Sequence, residues 1–120
     1  MASKHSTWHI VVVVKAILLL ALCGCDTGVK VSSDDGAKVF QSVCATCHGA
    51  EGKPNAAMVA RLGVRDLTSA ELRARVTPAL VEAQVRKGSQ NKLMPSFTGA
   101  LSDTQIKAVA AYVASPTFPR

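Results

Sequence analysis

Between residues 36 and 115, apolar and polar positions recur with helical spacing and never with the strict alternation of a half-buried strand. Gly36, Phe40, Val43, Cys44 and Cys47 follow at steps of four, three, one and three, which is one face of a helix. Ser32, Ser33, Asp34 and Asp35 precede it as cap residues, and Gly49 and Gly52 end it. Residues 49–67 contain Pro54, Asn55 and Gly63 and read as a loop with a helical turn at Ala56–Leu62. Thr68-x-x-Glu71 is a capping box that predicts a short helix to Val76. Thr77 then Pro78 opens the next helix, and Arg86, Lys87 and Gly88 close it, so it spans Pro78–Lys87. Residues 88–101 show no period and form a loop.

The last helix carries the strongest local signals. Ser102-x-x-Gln105 is a capping box, and Leu101 with Ile106 can staple the turn. Ile106, Val109, Ala110 and Val113 form the apolar stripe, Tyr112 lies beside it, and Pro116 stops the helix. Residues 117–120 are read as a tail. The class is all-α, with about four to five short helices.

The first 24 residues follow a different rule. Lys4 and Lys15 are present without an acid, and the apolar run from Ile10 to Leu22 is broken by Lys15. A membrane-spanning helix needs about 20 apolar residues, so a basic start and a short apolar run predict a removable export signal over 1–24. Leu22-Cys23-Gly24-Cys25 resembles the bacterial lipoprotein signal, in which a Cys preceded by Gly and, three back, by Leu becomes the lipidated N-terminus. That resemblance implies lipid attachment at Cys25 and a protein held on a membrane surface. Cleavage nearby, giving a soluble product, is the alternative. Residues 25–33 then form a linker and 34–116 the folded domain.

The length of 120 residues allows one domain, and 48% apolar residues exclude a disordered chain. The formal charge is +6, and loss of 1–24 leaves 12 basic against 8 acidic residues, a net +4. Basic residues are not interleaved with aromatic ones, so a nucleic-acid partner is not expected. Aromatics are only 4% of the chain, which suggests that something other than Phe, Tyr and Trp fills the core. Downstream of Cys25, His48 is the only histidine, and the remaining cysteines are Cys44 and Cys47.

Cys44-x-x-Cys47-His48 is the c-type haem attachment pattern. Two cysteines one helical turn apart can each form a thioether to one vinyl group of a haem, and the next residue can direct its imidazole at the iron. A redox pair of thioredoxin type needs a βαβ context that is not visible, and structural zinc wants four ligands. The chain from about residue 34 to 115 resembles the class I cytochromes c. Gly36 and Phe40 match the first helix of that family, Tyr112 the last, and Met94-Pro95 the loop between. The Asp66-Leu67-Thr68 stretch is similar to one in small bacterial members.

The resemblance implies a cytochrome c fold with crossing terminal helices around one covalent haem c. It also implies His48 and Met94 as axial iron ligands, and a proline carbonyl that accepts the other N–H of His48; Pro54 is expected there, while Arg65 stands at a place where some relatives carry proline. Such a centre has no open site for oxygen or peroxide, and Met/His ligation raises its potential. The expected activity is one-electron transfer between redox partner proteins, not catalysis, by an exported, periplasmic monomer. Lys53, Lys87 and Lys92 could steer an acidic partner or simply be solvated. A five-coordinate haem enzyme and a haem subunit of a larger oxidoreductase are the alternatives.

Overall fold

The computed structural model describes residues 32–119. The export signal, Cys25 and all but the last residues of the expected linker lie outside the described residues. Helix α1, Gly36–Val39, starts at Asp35, whose Oδ1 accepts the N–H groups of Ala37 (2.9 Å) and Lys38 (3.3 Å). The sequence predicts one uninterrupted helix to Cys47. Instead Phe40–Cys44 form a π turn, closed by the Ala45 N–H on the Phe40 carbonyl, and α2 resumes over Ala45–His48. One residue is thereby inserted into the turn between the core-facing Phe40 and the motif cysteines, a device found mostly at functional sites.

Helix α3, Ala56–Leu62, is capped by Asn55 Oδ1 on the Met58 N–H and ended by Gly63. Helix α4 is shorter than expected, Ala70–Arg73, and its cap is Ser69, whose hydroxyl accepts the Leu72 N–H. The Thr68–Glu71 capping box does not form. The Thr68 hydroxyl donates to Asp66 Oδ1 at 2.6 Å, and Glu71 pairs outward with Arg75 at 3.2 Å. Helix α5, Pro78–Lys87, keeps both expected bounds, with Thr77 as N-cap and Gly88 as C-cap. Helix α6, Asp103–Ala114, forms the full Ser102–Gln105 capping box. Among the described residues there is no sheet, only one isolated bridge between Thr98 and Leu101.

Packing converges on α6, which lies against both α1 and α5. Gly36 makes the first contact possible: a Cβ there would collide with the Ala108 carbonyl and with Tyr112 Cβ. Val39 and Phe40 are wholly buried beside Val85, Leu101, Ile106, Val109, Val113 and Phe118. Leu101 and Ile106, the expected staple pair, both belong to this core. Arg86 links α5 to α6 by bonding Glu82 (2.8 Å) and Asp103 (2.7 Å).

The segment read as a tail departs from that expectation. Phe118 is 1% exposed and stands edge-on to Phe40 and to Tyr112, with ring centroids 5.3 Å apart in each case. The chain turns back after Pro116 because a third ring completes an aromatic cluster that Phe40 and Tyr112 leave open on one side.

Candidate functional site

The motif residues sit where the first helical stretch leaves the core. Cys44 closes the π turn and packs against the core cluster, while Cys47 and His48 follow on α2, all half-buried. Burial, with Cys47 adding to it, pushes the Cys44 thiol up to about 11. A nucleophilic cysteine of thioredoxin type carries the opposite shift. Among the described residues no three His, Cys, Asp or Glu side chains converge as a metal site.

His48 Nδ1 lies 3.2 Å from the carbonyl oxygen of Arg65. A carbonyl only accepts, so Nδ1 carries the proton and the Nε2 lone pair is left for a metal. Burial holds the His48 pKa below its ordinary value, with the Arg65 carbonyl opposing more weakly; the neutral form is the ligating one. The carbonyl expected from Pro54 is thus supplied by Arg65. Pro54 is half-buried just ahead of α3, and the chain reaches the imidazole only after α3 has brought it back.

That return is pinned at two points. The Leu67 N–H donates to the Gly52 carbonyl at 2.9 Å, and Asp66 Oδ1 accepts from the N–H (2.8 Å) and hydroxyl (2.6 Å) of Thr68. The Thr68 bonds hold the Asp66 carboxyl below the usual carboxylate range. On the other side of the motif, Gln41 Nε2 donates to the Ala50 carbonyl at 2.7 Å.

Met94 occupies the loop between α5 and α6 and packs against the same core cluster as Cys44. Its backbone is held reciprocally by Ser89. The Met94 N–H donates to Ser89 Oγ at 2.9 Å, and the Ser89 N–H donates to the Met94 carbonyl at 2.9 Å. The Phe97 N–H bonds the Val85 carbonyl at 3.0 Å, and the Ser96 hydroxyl donates to the Arg86 carbonyl at 2.6 Å. Gln84 Nε2 donates to the Gly88 carbonyl at 2.8 Å and lies 4.0 Å from the Met94 sulfur.

Sequence reasoning missed Ser89 and Gln84, and it marked Arg65 only as standing where some relatives carry proline, with Pro54 expected as the acceptor. Ser89 and Asn91 beside Gly88 are turn-forming residues and gave a faint signal; a glutamine on an otherwise ordinary helix gave none. Lys53, Lys87 and Lys92 are exposed, as are the apolar side chains of Val59, Leu80 and Leu93.

A helical shell with a Cys-x-x-Cys-His motif on one segment and a methionine in the loop between α5 and α6 is the arrangement of small haem-binding electron-transfer domains. A family model described as cytochrome c oxidase, cbb3-type, subunit III, matches residues 32–113. The chain is 39% identical over 79 residues to cytochrome c6 of Leptolyngbya boryana, covering 65% of this chain and 85% of that protein. It is 35% identical over 101 residues to cytochrome c6 of a Nostoc species, covering 84% of this chain and 86% of that one. Identity is 33% over 93 residues to the cbb3-type cytochrome c oxidase subunit FixP of Azorhizobium caulinodans, covering 78% of this chain but only 30% of FixP. The solved structure of the c-type cytochrome KustC0563 superposes with a TM-score of 0.61 at 29% identity, over 72% of this chain and 99% of that one.

The chain belongs to the cytochrome c family, in the group that holds the cbb3-type subunit III domains and cytochrome c6. Membership carries one covalently bound haem c with its iron. The donor chemistry fits. Two free thiols flank one turn of α2, and an imidazole with its Nδ1 committed to a carbonyl follows directly.

Proposed function

We propose that this chain is an exported one-electron carrier in which Cys44 and Cys47 would hold the haem and His48 and Met94 would ligate its iron. The observation that carries the reading is the His48–Arg65 bond. It fixes the tautomer and orientation of an imidazole adjoining two free cysteines, in a chain of the cytochrome c family. Haem iron, cycling between Fe(III) and Fe(II), supplies the one-electron chemistry. The chain's own residues bind, orient and shield. Cys44 and Cys47 anchor, the Arg65 carbonyl strengthens His48 as a donor, and the Ser89 bonds hold Met94 in place. Phe97, packed on the core beside the Met94 loop, helps exclude water. Lys53, Lys87 and Lys92 are exposed charges suited to meeting an acidic partner.

The expected setting is the periplasm, with Cys25 lipidated and the folded domain tethered to a membrane through residues 26–33. Among the described residues no helix is long and apolar enough to cross a membrane. The match to FixP favours a second reading, a haem subunit within a larger oxidase, which keeps the same electron-transfer chemistry.

A redox titration followed by absorbance tests the proposal. One n = 1 couple is expected, and the oxidised protein should show a weak near-infrared sulfur-to-iron band that Met94→Ala abolishes. A high-spin oxidised spectrum with rapid peroxide turnover would instead identify an open-site enzyme. Mass spectrometry of the mature N-terminus decides lipidation, since an unmodified terminus downstream of Cys25 removes that part of the proposal.

A further inference from the structure

Arg73 and Phe118 lie outside the ligand set, yet a continuous path of contacts joins them to it. Arg73 on α4 donates from Nη1 to the Val113 carbonyl (2.6 Å) and from Nη2 to the Ser115 carbonyl (2.8 Å). Val113 lies in the last turn of α6 and Ser115 is its C-cap, whose carbonyl also accepts the Phe118 N–H at 3.2 Å. The Arg73 guanidinium also lies 5.4 Å from the centre of the Phe118 ring. The fork therefore fixes both the end of α6 and the segment that turns Phe118 inward.

The far edge of the Phe118 ring rests on Gly52, where a Cβ would stand 2.5 Å from Phe118 Cζ. Gly52 also needs its φ of +78°, so ring and backbone meet directly with no side chain between them to absorb movement. The Gly52 carbonyl receives the Leu67 N–H at 2.9 Å. Two residues before Leu67, the Arg65 carbonyl meets His48 Nδ1. Residues 64–67 belong to no helix, so this bridge and the Asp66–Thr68 bonds set where that carbonyl stands.

We propose that the Arg73–Phe118 clasp positions His48, by holding the Gly52–Leu67 bridge and through it the carbonyl that orients the imidazole. Phe118 and Arg73 are positioning residues, and the inference rests on the reading of His48 as a haem ligand. A ring that only filled the core would contribute stability and leave the His48 proton untouched. A ring that seats the loop controls how often the Nδ1–H···O=C bond opens.

The test follows solvent exchange of the His48 Nδ1 proton by NMR in the reduced, haem-loaded protein. It compares the unmodified protein, Phe118→Ala, Phe118→Leu and Leu101→Ala. Leu101 is a buried core residue just ahead of α6 and serves as the control. After correction for global stability from denaturant unfolding, exchange in Phe118→Ala should be about tenfold faster or more than in Leu101→Ala. Phe118→Leu, which keeps apolar bulk against Gly52, should fall between. Equal corrected rates in Phe118→Ala and Leu101→Ala would overturn the clasp. Should Phe118→Ala fail to fold, the same criterion applies to Phe118→Leu and to Arg73→Lys. The low-spin haem spectrum is read on the same samples. Its presence with unchanged exchange defeats the clasp alone, whereas its absence from the unmodified protein defeats the functional reading and the clasp with it.

Discussion

The two segments that present His48 and Met94 are secured in different ways. The His48 side, residues 36–67, is held by contacts from far along the chain: α6 pressed on Gly36, the Phe118 ring on Phe40 and Gly52, and the Arg65 carbonyl on the imidazole. The Met94 side, residues 84–98, is held by short-range hydrogen bonds between the end of α5 and its own loop. Damage to the first region should therefore cost the whole fold, and damage to the second should loosen Met94 while the fold stands.

The largest expected effect removes what both regions share. About 3–5 kcal/mol is all that a core of this size supplies by itself, so Cys44→Ser/Cys47→Ser protein lacking haem should be largely unfolded. Circular dichroism checks this; a cooperative, fully helical haem-free form would show that the two regions stabilise each other without it. Next, Gly36→Val drives a side chain into the Ala108 carbonyl and should cost about 3 kcal/mol in denaturant unfolding. Its signature is loss of both ligand sides together.

On the Met94 side the effects are smaller and separable. Ser89→Ala removes the acceptor of the Met94 N–H and should cost about 1 kcal/mol, visible as earlier loss of the near-infrared band on warming and not as global unfolding. Gln84→Ala removes the N–H dipole aimed at the Met94 sulfur. The positive end of that dipole disfavours the oxidised centre, so the potential should fall by about 20–60 mV, the equivalent of one weak hydrogen bond. A larger fall in stability than in potential would mean that Gln84 acts by capping Gly88 alone.

The smallest effect is on acid stability, and it again separates the regions. Asp66 on the His48 side is held low by Thr68, and Asp103 beside α5 is held low by Arg86. A carboxyl whose folded pKa lies below its unfolded value stabilises the fold above the unfolded value and loses that contribution as pH falls through the folded one. Stability should therefore decline on acidification below about pH 4. Asp66→Asn and Asp103→Asn should each flatten that decline, with the first also speeding His48 Nδ1 proton exchange and the second leaving it unchanged.

What could be read in the sequence follows the same division between local and distant causes. Helix α5 matched its expected bounds because Thr77, Pro78 and Gly88 act on their own neighbours. The α6 capping box held for the same reason. At residues 68 and 69 two hydroxyl residues compete for one cap, and Asp66, two residues upstream, takes Thr68 out of contention. The π turn, the inward course of Phe118 and the choice of Arg65 over Pro54 depend on packing between segments far apart in the chain. The resemblance marked residue 65 only as a place where some relatives carry proline, and a single aromatic beyond a proline has no period to reveal its face. The Cys44–His48 motif pointed to the cytochrome c family, which the relatives bear out, because its five residues are consecutive; the support around His48 left no such local mark.

The most direct measurement is mass spectrometry of the peptide spanning Cys44–His48 from protein purified out of its native host. The account expects that peptide to carry one haem through thioether bonds to both cysteines, and the intact protein to be coloured. A colourless protein yielding the same peptide with two free thiols or a disulfide would contradict it.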